Sequence, residues 1–241
     1  MKFLLPILLL VGANGCSQTD PNAPGAEFTG NADFNINATD VRFDDQLQQL
    51  IFTITVDGNA GGTVPMPVGS LDGAPVLGYV VPTTLRAEDV GFAPTEGIVA
   101  MALTSHPDFD DTPLWDENTD KDYANDGVVW HPHWVILVED ERVPGGLSVK
   151  QFAGSSEGLL PPTNPGMPMY MDSPGFPVLT DGNEIKVIVP AYRMNNQTQF
   201  NYDGVAAYMQ VIGSDTERPM LGVYTVYSIA SGDLSLPYTV R

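Results

Sequence analysis

Short apolar segments recur along the chain, and each either alternates apolar with polar residues or runs as a string of β-branched residues. This pattern predicts β-strands, because the side chains of a strand point alternately to its two faces. Turn sequences such as VPGG, TDGNE and NYDG separate the segments. We predict eight strands, at 49–58, 74–81, 97–105, 128–139, 147–153, 184–192, 205–213 and 222–229.

The number and spacing of these strands predict an all-β architecture. Eight or more short strands separated by turns are typical of antiparallel β-sandwiches and jelly rolls. The 24 glycines and 21 prolines of the chain also favour turns over long helices. We therefore expect one antiparallel β-sandwich or jelly-roll domain over residues 31–241. Long irregular loops are expected at 106–127 and 154–180, where the strand pattern is lost.

The N-terminus has the pattern of a secretory signal. Lys2 precedes an apolar run over residues 3–11, and small residues follow up to Cys16. Because the chain's one cysteine comes directly after the sequence ANG, the segment resembles a bacterial lipoprotein signal. An ordinary cleaved signal, with an unmodified thiol at Cys16, is the alternative.

The resemblance implies both an anchor and a location. Residues 1–15 would be removed as the signal peptide, and Cys16 would carry the lipid. Residues 16–30 are then expected to form a flexible tether, since they contain Pro, Gly and small polar residues without apolar periodicity. Ser17 after the cysteine implies the outer membrane of a bacterial cell envelope.

The charge of the chain limits its partners. Ten basic and 30 acidic residues give a formal net charge of −20. Nucleic-acid binding requires a basic surface, which this composition does not favour. An anionic membrane surface would also repel the domain, so the lipid anchor is the expected membrane contact. Metal cations are the class of partner that the charge favours.

The three histidines of the chain all lie between residues 106 and 133. His131 and His133 are two apart on a predicted strand and therefore share a face, with Cα atoms about 6.5–7 Å apart. His106 follows another predicted strand. Three imidazoles suit Zn²⁺, Cu²⁺ or Fe²⁺. We predict a shared three-histidine metal site, with His106 in a separate loop as the alternative. A candidate fourth ligand comes from the nearby carboxylates Asp108, Asp110 and Asp111.

Three methionines bear on the identity of the metal. Met167, Met169 and Met171 are spaced by two in the sequence GMPMYMDSPG, so an extended segment would place their thioethers on one side. Soft sulfur ligands select Cu(I). The segment resembles the methionine-rich segments of periplasmic copper-handling proteins at these three positions. The alternative is that the methionines are apolar packing under a Pro-rich loop.

An acidic loop offers a candidate calcium site. Ca²⁺ requires six to eight oxygen ligands, and alternating acidic and amide side chains supply them. The loop resembles an EF-hand loop, although Lys121 replaces the turn glycine and Gly127 replaces the bidentate glutamate. The alternative is a solvated acidic turn. The candidate ligands are Asp116, Asn118, Asp120, Asp122 and Asp126.

Three hypotheses for function follow from the sequence. The first is a secreted, lipid-anchored metal-binding protein that holds copper or zinc at the three histidines. The second is a metal-dependent hydrolase or oxidoreductase that uses the same histidines, with Asp108 or Glu139 as the base. The third is a calcium-stabilised adhesion or binding module.

Overall fold

The computed structural model describes residues 23–66, 71–107 and 129–241. Within these ranges the chain forms thirteen strands and four single-turn 3₁₀ helices. The strands are β1 (Ile36–Asp44), β2 (Gln49–Val56), β3 (Pro75–Pro82), β4 (Ile98–Ser105), β5 (His131–Glu139), β6 (Leu147–Val149), β7 (Met171–Asp172), β8 (Val178–Asp181), β9 (Glu184–Pro190), β10 (Asn201–Tyr202), β11 (Val205–Val211), β12 (Leu221–Ile229) and β13 (Tyr238–Thr239). The 3₁₀ helices are Ala26–Phe28, Ala32–Phe34, Ala87–Val90 and Ala191–Met194.

Six strands close into an antiparallel barrel. The strand order is β4-β3-β11-β12-β6-β5, and β5 pairs in turn with β4 to complete the ring. The short strand β7 extends the wall beside β5, where Met171 pairs with Val135. Closure removes the unpaired edges that an open sheet of these strands would have.

A four-stranded sheet packs against the outside of the barrel. Its strand order is β1-β2-β9-β8, and Phe52 of β2 meets Trp134 of β5 edge-on, with ring centroids 6.1 Å apart. The facing side chains of the sheet and the barrel form the main hydrophobic core. Its members include Leu50, Phe52, Ile54, Ile185 and Val187 from the sheet, and Leu77, Tyr79, Met101, Trp134 and Ile136 from the barrel.

The barrel interior forms a second apolar cluster. Because side chains alternate along each strand, the residues that do not face the outer sheet face the barrel axis. β3 is consequently buried along its whole length, which explains why its sequence is continuously apolar. The interior cluster includes Val76, Val80, Ala100, Ala102, Val135, Leu137, Val205, Ala207, Met209 and Val223.

The predicted all-β antiparallel fold is confirmed, and each of the eight predicted strands overlaps an observed strand. The expected β-sandwich or jelly roll was too specific, because the pairing of β4 with β5 closes the larger sheet into a barrel. Three observed strands, β1, β10 and β13, lie outside the predicted strands and loops. β7 and the start of β8 lie in the segment 154–180 that was expected to be irregular.

Part of the expected tether packs on the domain. The Phe28 ring stacks on Tyr208, with centroids 6.4 Å apart, and the Tyr227 hydroxyl donates a hydrogen bond of 2.9 Å to the Gly25 carbonyl. Residues 25–28 therefore belong to the folded unit, contrary to the expectation of a free tether up to residue 30. Cys16 and the rest of the predicted signal lie outside the described residues. No helix in the described part of the chain is long and apolar enough to cross a membrane.

Candidate metal centre

The three histidines converge because β4 and β5 are neighbours. In this antiparallel pair Ala102 lies opposite His133 and Thr104 lies opposite His131. His106 follows the last residue of β4 and so extends the same row of alternate positions by one step. All three imidazoles are buried, at 1–4% exposure. The fold therefore brings the three histidines together, as the predicted shared site requires, and His106 does not lie in a separate loop.

The ring atoms lie at distances close to those of a metal site. One ligand nitrogen from each histidine lies within 4.8 Å of the others, and the Nε2 atoms of His106 and His131 are 2.8 Å apart. A tetrahedral zinc ion with bonds of about 2.0–2.1 Å would hold its nitrogen ligands roughly 3.3 Å from one another. That value lies between the 2.8 Å of this pair and the 4.8 Å limit within which all three ligand nitrogens lie. The group His106, His131 and His133 could therefore bind a metal ion.

The hydrogen bonds of two rings determine their tautomer. His106 Nδ1 lies 2.9 Å from the Pro107 carbonyl oxygen, and His131 Nδ1 lies 2.7 Å from the Val129 carbonyl oxygen. A carbonyl only accepts hydrogen bonds, so Nδ1 carries the proton in both rings. In the neutral imidazoles, Nε2 is then the nitrogen with the lone pair. Histidine ligands of metals are held in this way by a carbonyl on the distal nitrogen.

His133 is oriented by a hydroxyl. The Oγ atom of Ser173, one residue after β7, lies 3.0 Å from His133 Nδ1. Both side chains are buried, so the contact fixes the rotation of the imidazole. Sequence reasoning did not identify Ser173 as part of the site, because it lies 40 residues from His133 and the pattern noted in its segment concerned the methionines alone.

The surroundings of His131 favour its neutral form. Burial lowers the pKa of His131 well below its ordinary value of 6.5. The neighbouring His106 and His133 lower the pKa further, whereas the hydrogen bond to the Val129 carbonyl opposes the shift. A neutral imidazole is the form that binds a metal ion, so His131 is prepared for ligation.

A small cavity adjoins the histidines. Its volume is about 20 Å³, and His106, His133, Thr104, Met167 and Met171 contribute to its lining. A volume of this size accommodates about one water-sized group. Thr104 Oγ1 is buried and has no hydrogen-bond partner among the described residues. The cavity therefore combines imidazole, thioether and hydroxyl groups around a space for one small ligand.

The methionines have different positions around this cavity. Met167 and Met171 line it, whereas Met169 is fully buried in the interior cluster of the barrel. All three pack on that same cluster, although the segment is not fully extended, because its backbone bends at Pro168 and Tyr170. Whether they bind Cu(I) stays a prediction.

Other predicted residues are not brought to the histidines. Glu139 is exposed at the opposite end of β5, about 20 Å from His133 at 3.3 Å per residue. Its expected role as a base at the metal is therefore wrong. The carboxylates Asp108, Asp110 and Asp111 lie outside the described residues. So do the candidate calcium ligands Asp116, Asn118, Asp120, Asp122 and Asp126.

Comparisons with known proteins identified no relative. No protein-family model, no curated protein and no solved structure matches the chain significantly. Any functional conclusion therefore depends on the geometry and chemistry of the site.

Proposed function

We propose that the protein binds a transition metal ion, copper or zinc, through His106, His131 and His133. The observation that carries the proposal is the pair of Nε2 atoms 2.8 Å apart. Both rings direct Nδ1–H to carbonyl oxygens, so two lone pairs face each other in the neutral state. A cation between them relieves that repulsion, and burial disfavours a proton on His131. A metal ion satisfies both conditions.

Copper is favoured over zinc by the sulfur atoms nearby. Met167 and Met171 line the small cavity that His106 and His133 also line. Thioethers bind Cu(I) well and contribute little to Zn²⁺ sites. The proposed resting site is three imidazoles plus one further ligand. An aspartate from 108–111, a methionine sulfur or a water molecule would supply that ligand.

The proposed setting is the bacterial cell envelope. The resemblance of the N-terminus to a lipoprotein signal, ending at Cys16, supports a lipid-anchored protein of the outer membrane. The net charge of −20 supports membrane contact through the lipid rather than through the domain. The same charge would attract cations to the protein.

Metal analysis of the native protein tests the proposal. The full-length protein is purified from its own compartment without chelators, and its metal content is measured by inductively coupled plasma mass spectrometry. We expect about one copper or zinc ion per chain. The extended X-ray absorption fine structure of that metal should show scattering from imidazole ligands. A protein without copper or zinc that also fails to take up either ion in vitro would exclude the proposed function.

A metal-dependent enzyme is the second candidate. It is favoured by one observation: a cavity of about 650 Å³ in the barrel reaches His133. Three histidines leave a coordination position at which a hydrolase or oxidoreductase would bind water or substrate. Turnover that is lost on chelation and regained on adding back the metal would identify an enzyme.

A further inference from the structure

The barrel encloses a space far larger than a metal site requires. The cavity has a volume of about 650 Å³, within the range that holds small organic ligands. Its walls are mainly apolar and come from all six strands of the barrel. The lining includes Val80, Ala102, Val135, Val149, Met209 and Val223.

The sequence produces this space by placing small residues at inward positions. In β4 the inward residues Ala100 and Ala102 alternate with the outward residues Met101 and Leu103. In β11 the inward residue Ala207 likewise lies next to the large outward residue Tyr208. Small barrels usually fill their interiors with side chains. Here alanines at inward positions of β4 and β11 leave part of the interior open.

The inner end of the cavity presents polar groups. Thr104 and His133 line both this cavity and the small cavity beside the histidines. Thr104 Oγ1 is buried without a hydrogen-bond partner among the described residues. An unsatisfied buried hydroxyl costs free energy unless a ligand group pairs with it. The inner end is therefore suited to the polar group of a ligand.

The opposite end of the cavity is acidic and exposed. Glu139, Glu141 and Asp233 are exposed and contribute to the lining. Glu139 lies about 20 Å along β5 from His133 at 3.3 Å per residue, so the acidic opening and the histidines are at opposite ends. Together with the net charge of −20, this opening disfavours anionic ligands.

We infer that the barrel interior is the binding chamber for a neutral, largely apolar organic molecule with one hydroxyl or carbonyl group. The apolar body fills the barrel, and the polar group bonds to Thr104 at the inner end. Contact of that group with the metal ion rests on the proposed function, because it needs an ion at the three histidines. The size and apolar walls of the chamber would therefore select neutral, largely apolar molecules as the ligands or substrates of the metal site.

Ligand binding by the metal-free protein tests the chamber itself. The probe is 1-aminoanthracene, whose fluorescence rises in an apolar environment, with decan-1-ol and decanoate as competitors. We expect saturable binding of one probe per chain and displacement by decan-1-ol. Decanoate should compete about tenfold more weakly, because its carboxylate must pass the acidic opening or be buried. No saturable binding, or equal competition by the two, would overturn the inference.

Two alanines provide a matched pair of variants. Ala207→Phe puts a large ring into the chamber and should weaken probe binding about tenfold or more. Ala38→Phe, on an exposed position of β1, should leave it unchanged. If Ala207→Phe folds and binds the probe like the wild type, the chamber is not where the probe binds and the inference is wrong. If Ala207→Phe fails to fold, the competition experiment in the wild type decides.

A spectroscopic measurement separates the chamber from the metal site. The protein is loaded with Co²⁺, whose visible spectrum reports its coordination, and decan-1-ol is added. We expect the spectrum to change with decan-1-ol, and Thr104→Val should require about two- to tenfold more of the alcohol. A Co²⁺ spectrum that decan-1-ol does not alter would overturn the contact between ligand and metal. A protein that takes up neither Co²⁺ nor Zn²⁺ nor copper would overturn the proposed function, whereas probe binding by that protein would still support the chamber.

Discussion

The Nε2 atoms of His106 and His131 face each other at 2.8 Å, while the Nδ1 atom of each ring contacts a backbone carbonyl. The carbonyls hold the protons on the far side of both rings, so the near side carries two lone pairs. Such an arrangement is unfavourable in a buried site unless a cation lies between the nitrogens. The hydrogen bonds of His106 and His131 to backbone carbonyls thus prepare the facing Nε2 atoms to bind a metal ion.

Ser173 should tune the metal affinity through His133. Its hydroxyl lies 3.0 Å from His133 Nδ1, and loss of such an outer contact typically lowers metal affinity about 10- to 100-fold. Ser173→Ala is therefore expected to weaken zinc binding by that factor without unfolding the protein. Competition with a chromophoric zinc chelator measures it. Ser155→Ala, at an exposed position, is the control, and equal affinities in the two variants would exclude an orienting role for Ser173.

Met171 should matter for Cu(I) and not for Zn²⁺. Its side chain lines the small cavity beside His106 and His133, and leucine conserves its volume while removing the sulfur. We expect Met171→Leu to lower the Cu(I) affinity and to leave the Zn²⁺ affinity unchanged, as measured by competition with a Cu(I)-specific dye. Met66→Leu, at a largely exposed methionine, is the control. Unchanged Cu(I) affinity in Met171→Leu would show that its thioether is packing only.

Asp140 should make the stability of the barrel depend on acid pH. Hydrogen bonds from Arg142 lower the pKa of Asp140 to about 2, and Ser148 adds to the shift against the opposing effect of burial. Because the folded-state pKa lies below the ordinary aspartate value of 3.8, the carboxylate stabilises the fold above pH 3.8. That contribution is lost as the pH falls toward 2.

The corresponding variant is Asp140→Asn. At pH 7 it should lower the free energy of unfolding by about 1–3 kcal/mol, the usual effect of breaking a buried charged hydrogen-bond network. The difference from the wild type should shrink between pH 4 and pH 2.5. Urea unfolding at several pH values measures both effects, with the exposed Asp45→Asn as the control. A difference that stays constant over this range would contradict the role of the carboxylate charge.

Cys16 should be the membrane attachment. If it carries the lipid, Cys16→Ala will move the protein from the membrane fraction to the soluble fraction. The domain itself should melt as before, because the contacts with β12 that the structure describes lie further along the chain, at the carbonyls of Pro24 and Gly25. Fractionation of cells that express each form measures the change. A variant that remains with the membrane would require another anchor.

Much of the fold could be predicted because most strands of the barrel and of the outer sheet carry apolar residues on one or both faces. β2 alternates buried and half-buried residues along its whole length, and β3 is buried throughout, so both give clear patterns. β1 was missed because only Val41 is buried within it, and an edge strand with one buried residue has no period to detect. Barrel closure was missed because it depends on which strands pair, and periodicity does not specify that.

The candidate site, like the fold, was predicted only where strand geometry determines the arrangement. The shared face of His131 and His133 follows from strand geometry, and their approach to His106 required only that β4 and β5 be neighbours. The contributions of Ser173 and Thr104 could not be predicted, because a single hydroxyl in the sequence carries no signal until the fold places it. Glu139 was wrongly expected near the metal because it is only six residues from His133 in the sequence. On an extended strand those six residues span about 20 Å.

Calorimetric titration of the His106→Ala variant tests the central claim most directly. Wild-type protein and the variant are titrated with Zn²⁺ and Cu²⁺ at pH 7.5, after circular dichroism has shown that both are folded. We predict one tight site in the wild type and a loss of affinity of about 100-fold or more in His106→Ala, since one of three ligands is gone. Binding by His106→Ala with wild-type affinity would contradict the three-histidine site.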